Sequence, residues 1–221
     1  MEAKLVDALP EEEGWQFEPK WDGFRCLAYR AGTEVELQSK AGKSLARYFP
    51  EVVDALRVMP VDRFVLDGEL AILSGETLSF DALQNRLHPA ESRVRKLAAE
   101  APAMFILFDC LATEMDGSLL RTPLMRRRTA LERFFASLGD QPSLTPYTRD
   151  VATARSWLEK ARGSLDGVVA KRVDGPYVPG EREMLKVKLL PTADCVGGGF
   201  RYAADSDLVG SLLLGLYDEA G

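Results

Sequence analysis

The chain has 221 residues, 46% of them apolar and 28% charged, with a formal net charge of −6. That length suits one large domain, or one domain with an appended piece, and the composition is that of a globular chain with enough apolar material for a core. An acidic total excludes a self-contained basic nucleic-acid module, so contact with a polyanion would have to rest on local positive charge or on surface contributed from outside this chain.

The opening stretch MEAKLVDALPEEEGW is acidic and lacks the cationic start and apolar core of a secretion signal. No apolar run approaches the ~18 residues of a membrane span, so a cytoplasmic protein is expected. EPKWDGFR, residues 18–25, crowds charges around Gly23 and reads as a charged turn, with Lys20 either a reactive amine or an ordinary solvated lysine. FRCLAYR and EVELQSK flank AGT as a hairpin over 24–40. In FPEVVDALRVM, Pro50 suits a helix start and Val52, Val53, Leu56 and Met59 share a face. RFVLDGELAIL predicts a strand, LSFDALQNRL a short helix closed at His88-Pro89, and SRVRKLAAE a helix with a basic outer side. AMFILFDCLA is a nearly continuous apolar strand, and Asp116-Gly117 marks a turn.

TPLMRRRTALERFFASLG carries a helix grammar with Thr122 as cap, Pro123 in the first turn, Leu124, Arg128, Leu131 and Phe135 in period, and Gly139 as terminator. DVATARSWLEKARG repeats it with Asp150 and Gly163. LDGVVAKR and EMLKVKLL read as strands. Hairpins interspersed with helices predict an α+β fold, not a doubly wound parallel sheet. After Pro191 the character changes: ADCVGGGFRYA and DLVGSLLLGLYD read as two glycine-interrupted strands, which cannot form a stable sheet alone and are expected to be the start of a truncated, all-β second domain.

Cys26, Cys110 and Cys195 have no paired spacing, so neither a disulfide framework nor a zinc site is indicated. His88 is the sole histidine and, placed before a proline, reads as a helix-end residue; histidine-based nucleophilic or zinc chemistry would have to rest on it alone. Other segments offer chemistry. In LDGEL, Asp67 and Glu69 would project from one strand face, with Gly68 leaving room for a ligand, an arrangement that suits Mg²⁺ or a ribose. Asp166 and Lys171 end a short apolar strand. Lys186 and Lys188 share a face in LKVKL, where their repulsion would be relieved by a bound phosphate, or where they simply guard an edge strand. Phe108, beside Asp109, could stack on a purine. No P-loop glycine pattern occurs.

Taken in order, KWDGFR, SKAG, LDGEL, LFDCL, DGVVAK and LKVK resemble the nucleotidyltransferase motifs of the covalent nucleotidyltransferase superfamily. FEPKWDGFRC, RYFPEV, ALQNRLHPA, PYVPGEREMLKVK and TADCVGGGFR look most like the small bacterial ATP-dependent DNA ligases related to the end-joining ligase, over about residues 15–218. The resemblance implies an adenylation domain over 1–190 and the first strands of a truncated OB-fold over 191–221. It implies that Lys20 attacks the α-phosphorus of ATP and becomes lysyl-AMP, which requires the neutral amine that neighbouring cations favour. It further implies that Glu18 reads the adenine amino group, Arg25 and Glu69 touch the ribose, and Phe108 stacks on the base. Lys186 and Lys188 would stabilise phosphoryl charge, with Lys40 and Arg182 as further phosphate contacts and Glu69 and Asp166 as ligands of Mg²⁺ or Mn²⁺. The implied substrate is nicked double-stranded DNA, sealed in repair and recombination by a monomer working in the bacterial cytoplasm at the nucleoid, with repair proteins as further partners. An RNA ligase or a capping-type guanylyltransferase is the alternative within the superfamily. Two positions depart from the family pattern. Asp166 replaces the usual glutamate, and Lys40 stands where many ligases have arginine, keeping the charge but losing the bidentate fork.

Overall fold

Alternation of apolar and polar residues sets most of the strands, and capping signals set the helices. The structure is a computed structural model and describes residues 1–75, 77–136, 143–160, 165–188 and 194–217. The chain divides into two units, Met1–Leu189 and Leu190–Gly221. In chain order the first runs β1 (Ala3–Leu5), β2 (Trp15–Trp21), β3 (Phe24–Ala31), β4 (Glu34–Ser39), α1 (Pro50–Arg57), β5 (Arg63–Ser74), β6 (Thr77–Leu78), α2 (Phe80–Arg86) and α3 (Glu91–Glu100). It continues with β7 (Ala103–Thr113), β8 (Gly117–Ser118), α4 (Leu124–Ala136), β9 (Ser143–Leu144), α5 (Val151–Lys160), β10 (Leu165–Arg172) and β11 (Met184–Lys188). The second unit holds an antiparallel hairpin of β12 (Val196–Tyr202) and β13 (Val209–Gly215).

Two sheets build the first unit. One has the order β1-β11-β10-β2, with β1 parallel to β11 and the other pairs antiparallel. The other has the path β4-β3-β5-β7-β8, with β6 added on β5 and β9 on β7. The α+β expectation holds. One face of the first sheet buries Phe17, Val168, Ala170 and Val187 against Leu9 and Ala154, Trp157 and Leu158 of α5. The second sheet packs Cys26, Ala28, Leu66, Leu70 and Leu107 against Val52, Val53 and Leu56 of α1, Leu83 of α2 and Ala130, Leu131 and Phe134 of α4. Each fully buried Leu-sized side chain in such a core contributes about 1.5–3 kcal/mol.

The helix ends follow local chemistry. Pro50 opens α1. The Ser79 hydroxyl accepts from the Ala82 amide at 3.2 Å to cap α2, and Asp150 accepts from the Thr153 amide at 2.8 Å to cap α5, each cap being worth about 1 kcal/mol. His88 takes the helix-end role expected of it, its Nδ1 accepting from the Ala90 amide at 3.1 Å. In α4 the core residue is Phe134, which meets the Phe64 ring at 5.2 Å, whereas Phe135 is only half-buried; steps of three and of four from Leu131 both fit a helical face, so the period did not separate the two. Gly139, Gly163 and Pro191 lie outside the described residues.

The larger departure concerns residues 18–25. Residues 18–21 lie in the strand β2 and Phe24 and Arg25 in β3, so only Asp22 and Gly23 turn the chain from the first sheet into the second. Gly23 is required there because a Cβ would lie 2.2 Å from the Leu70 carbonyl oxygen. Its close approach is to β5.

Candidate active site

Strand register in the first sheet lines up three rungs of side chains on the face opposite the α5 core. Lys20 of β2 pairs with Gly167 of β10, and Gly167 with Lys188 of β11. Glu18 pairs with Val169, and Val169 with Lys186. Gln16 pairs with Lys171, and Lys171 with Met184. Because side chains alternate, Glu18, Lys20, Lys171, Lys186 and Lys188 all project from one face.

Gly167 makes the first rung possible. Its φ is +143°, and a Cβ there would meet the Val187 carbonyl oxygen at 2.0 Å. The register is irregular between Leu165 and Gly167, and the resulting bulge turns Asp166 onto the lysine face. Its carboxylate lies 2.6 Å from Lys20 Nζ and 2.7 Å from Lys188 Nζ. Burial opposes the Asp166 charge, but the two lysines hold its carboxyl below the ordinary aspartate value. The amine of Lys20 thus rests on a carboxylate that it shares with Lys188. Lys186 experiences the reverse: partial burial and the charges of Lys188, Lys20 and Lys40 lower its pKa, the signature of a cation cluster that an anion would relieve.

This face looks onto a cleft of about 390 Å³ whose wall includes Glu18, Lys20, Arg25, Lys40, Glu69, Phe108, Arg182 and Lys186, a size suited to a small ligand. The opposite wall comes from the second sheet. Phe108 is the half-buried residue in the otherwise buried stretch Phe105–Leu111, and its ring underlies two cations, Arg25 at 5.6 Å and Lys171 at 4.7 Å. Glu18 and Lys171 are ion-paired at 2.7 Å with side-chain exposures of 3% and 4%. Glu18 also accepts from Gln16 Nε2 at 2.9 Å, and Lys171 donates to the Phe108 carbonyl at 3.3 Å.

Lys171 is the residue whose role sequence reasoning did not assign. The signal was there: in DGVVAK, Gly167, Val169 and Lys171 share the face that carries the rungs, and a lysine ending a buried strand needs a partner.

The acidic pair of LDGEL behaves differently from expectation. Asp67 is fully buried and accepts from Arg25 Nε at 3.1 Å, Arg25 Nη2 at 2.6 Å and the Tyr177 hydroxyl at 2.8 Å. β5 pairs with β3 without a break through both acids, so they share a face; Asp67 is taken up by Arg25 and Tyr177 in the interior, and Glu69 is the one that reaches the cleft wall. Gly68 leaves room for the Phe105 ring and the Ile106 carbonyl, each 2.6 Å from a would-be Cβ, rather than for a ligand. Arg25 lines the cleft, but much of its guanidinium is engaged by Asp67, Tyr177 and the Met1 carbonyl. Glu69 pairs with Arg25 in the sheet register, and its carboxyl is raised to about 8, chiefly by burial, with Lys20 and Arg25 pulling the other way. Lys40 is largely exposed and meets Glu2 at 3.1 Å.

Among the described residues no group of three or more His, Cys, Asp or Glu side chains is arranged to hold a metal. Asp166 could supply an oxygen to a hard divalent cation, and Glu69, whose carboxyl is raised to about 8, could join it on losing its proton, the remaining ligands coming from water and a phosphate-bearing substrate.

Comparisons with known proteins identify the family of the chain. A family model described as the ATP-dependent DNA ligase domain matches residues 2–188. DNA ligase C1 of Mycolicibacterium smegmatis is 48% identical, over 100% of this chain and 65% of its own length. The crystal structure of the ligase domain of M. tuberculosis LigD superimposes with a TM-score of 0.64 at 30% identity, covering 99% of this chain and 70% of that one. A mycobacterial DNA ligase D complexed with ATP and MES gives 0.65 at 29% identity, covering 96% and 67%. The chain spans 62 to 65% of the length of the mycobacterial ligase C relatives it matches. No described helix is long and apolar enough to cross a membrane.

Proposed function

The chain belongs to the ATP-dependent DNA ligase domain family, and from that premise we propose that it is the nucleotide-charging core of a ligase that adenylates Lys20 and passes the AMP to the 5′-phosphate of a nick in double-stranded DNA. The observation that carries this reading is the gathering, around one cleft, of Lys20, the cations Lys40 and Lys186, and a base wall made of Phe108, Glu18 and Lys171.

Lys20 Nζ attacks the α-phosphorus, a nitrogen–phosphorus bond forms, and the bond to the bridging oxygen breaks to release pyrophosphate. Asp166, 2.6 Å away, is placed to receive the proton the amine must lose. Lys186, Lys188, Lys40 and Arg182 stabilise the phosphates and the departing charge. Phe108 stacks on the base. Glu18, an acceptor, suits the adenine amino group, and Lys171, a donor, suits the adenine N1. Guanine presents the opposite pattern at both atoms, so the Glu18–Lys171 pair favours ATP over GTP and disfavours a capping-type guanylyltransferase. Arg25 and Glu69 lie toward the ribose. Mg²⁺ or Mn²⁺ held by Glu69 and Asp166 would supply charge neutralisation of the triphosphate. Residues 1–190 serve as the adenylation domain, and the β12–β13 hairpin supplies the first strands of an OB-fold over 191–221. In this reading the protein acts as a monomer in the bacterial cytoplasm, sealing nicks in repair, with repair proteins among its partners.

Intact mass after incubation with ATP and Mg²⁺ tests the reading. The wild-type chain gains one AMP, GTP gives no adduct, and Lys20→Ala gains nothing. An adduct that persists in Lys20→Ala removes Lys20 as nucleophile, and adduct formation with GTP alone removes the adenine assignment. The charged protein offered a nicked duplex transfers its AMP to DNA in preference to RNA.

A further inference from the structure

Three acidic side chains stand on the cleft wall: Glu2, Glu18 and Glu69. Glu18 is spent on Lys171, and Glu69 is held toward its neutral form by burial. Glu2 is the exception, because it stands among the phosphate-side cations. Its carboxylate meets Lys40 Nζ at 3.1 Å. That hydrogen bond lowers its pKa, with burial opposing and the charges of Lys40, Arg182 and Arg25 assisting. Its backbone is fixed on both sides. The Glu2 amide donates to the Glu181 carbonyl at 2.6 Å, and the Glu2 carbonyl accepts from the Met184 amide at 3.2 Å. Those two residues bracket Arg182, and the strand that follows Glu2 continues parallel to β11, so that Leu5 lies beside Lys186. The carboxylate is therefore delivered to its position by the sheet.

We propose that Glu2 is an internal competitor for the nucleotide phosphates: its carboxylate holds Lys40 while the cleft is empty, yields it to the triphosphate of ATP, and takes it back as pyrophosphate leaves. This rests on the reading of the cleft as an ATP site and adds a residue that tunes it. Glu2 opposes every ligand that brings phosphate to Lys40 and is indifferent to one that does not. It therefore weakens ATP binding but weakens pyrophosphate rebinding as well, which protects the lysyl-AMP from reversal.

The test measures binding of three probes, ATP, inorganic tripolyphosphate and adenosine, by calorimetry in a Lys20→Ala background that prevents covalent charging. Adding Glu2→Gln should tighten ATP and tripolyphosphate about three- to tenfold, the range expected from removing one partly exposed charge and its ion pair, and leave adenosine unchanged. The gain should vanish when Lys40→Ala is also present and shrink as salt is raised. Equal affinities for ATP with and without Glu2→Gln overturn the proposal, as does an equal gain for adenosine, which would mean the cleft had simply opened. If the Lys20→Ala cleft binds neither ATP nor adenosine, the nucleotide-site reading itself falls and the Glu2 proposal with it.

Discussion

Lys171→Met removes an ammonium from the base wall while keeping most of the side chain's length. The partner left behind, Glu18, is 3% exposed and 2.7 Å from the lost charge, with the Gln16 amide at 2.9 Å as its other hydrogen bond. Stranding one member of a buried ion pair costs about 3–5 kcal/mol. For a unit of this size each kcal/mol moves Tm by roughly 2–4 °C, so the melting temperature should fall by about 6–20 °C. Replacing both members, Glu18→Gln with Lys171→Met, removes the stranded charge and should recover most of the loss. The assay is thermal and urea unfolding at neutral pH followed by tryptophan fluorescence, since Trp15, Trp21 and Trp157 all lie in the first unit. A single substitution that costs under about 1 kcal/mol, or a double that equals the sum of its parts, would refute the reasoning. In the adduct assay the single variant should also lose selectivity for ATP over GTP by about tenfold, because a buried donor has gone.

Two further outcomes follow from the site's geometry. Gly167→Ala places a Cβ 2.0 Å from the Val187 carbonyl oxygen at a φ of +143°; it should destabilise the protein by about 2 kcal/mol or more and cut the rate of adduct formation by moving Asp166 off Lys20, whereas an unchanged rate would show that the bulge does not place Asp166. Glu69, raised to about 8 by burial, is protonated in the folded chain over a range where the unfolded chain has already ionised, so its contribution is fully present below about pH 4.5 and is lost as pH climbs toward 8. Glu69→Gln should flatten that decline, by at most about 5 kcal/mol across the window, and parallel stability–pH curves for the two proteins would show that the carboxyl is not perturbed.

Much of this architecture was legible because its signals are local. The helices carry their caps in the sequence, at Ser79 and Asp150, and β3–β4 and β7 carry their patterns of alternation or continuous apolarity. The site motifs could be read in order, and the structure brings Glu18, Lys20, Arg25, Lys40, Glu69, Phe108, Arg182 and Lys186 to one cleft, with Asp166 and Lys188 joined through Lys20. What escaped depends on pairing between distant strands. Residues 18–21 carry charge and a proline, which argue against a strand, yet pairing with β10 makes them part of one. Asp67 and Glu69 share a face of β5, and only the distant partners Arg25 and Tyr177, which claim Asp67 in the interior, leave Glu69 as the acid at the cleft. Glu2 looks like an unremarkable early residue until β1 is seen beside β11.

The turn at Asp22 and Gly23 divides the labour of the site. Lys20 stands near the end of a strand of one sheet and Arg25 near the start of a strand in the other, and the short link between them is pressed onto the Leu70 backbone. The spacing of nucleophile and base wall is thus set within a single stretch of chain, as the span of a caliper is set at its joint. Lys40 and Arg182 arrive from loops elsewhere in the chain. Those loops can be exchanged to retune how tightly phosphates are held without resetting the instrument, while a residue inserted at the joint would reset it.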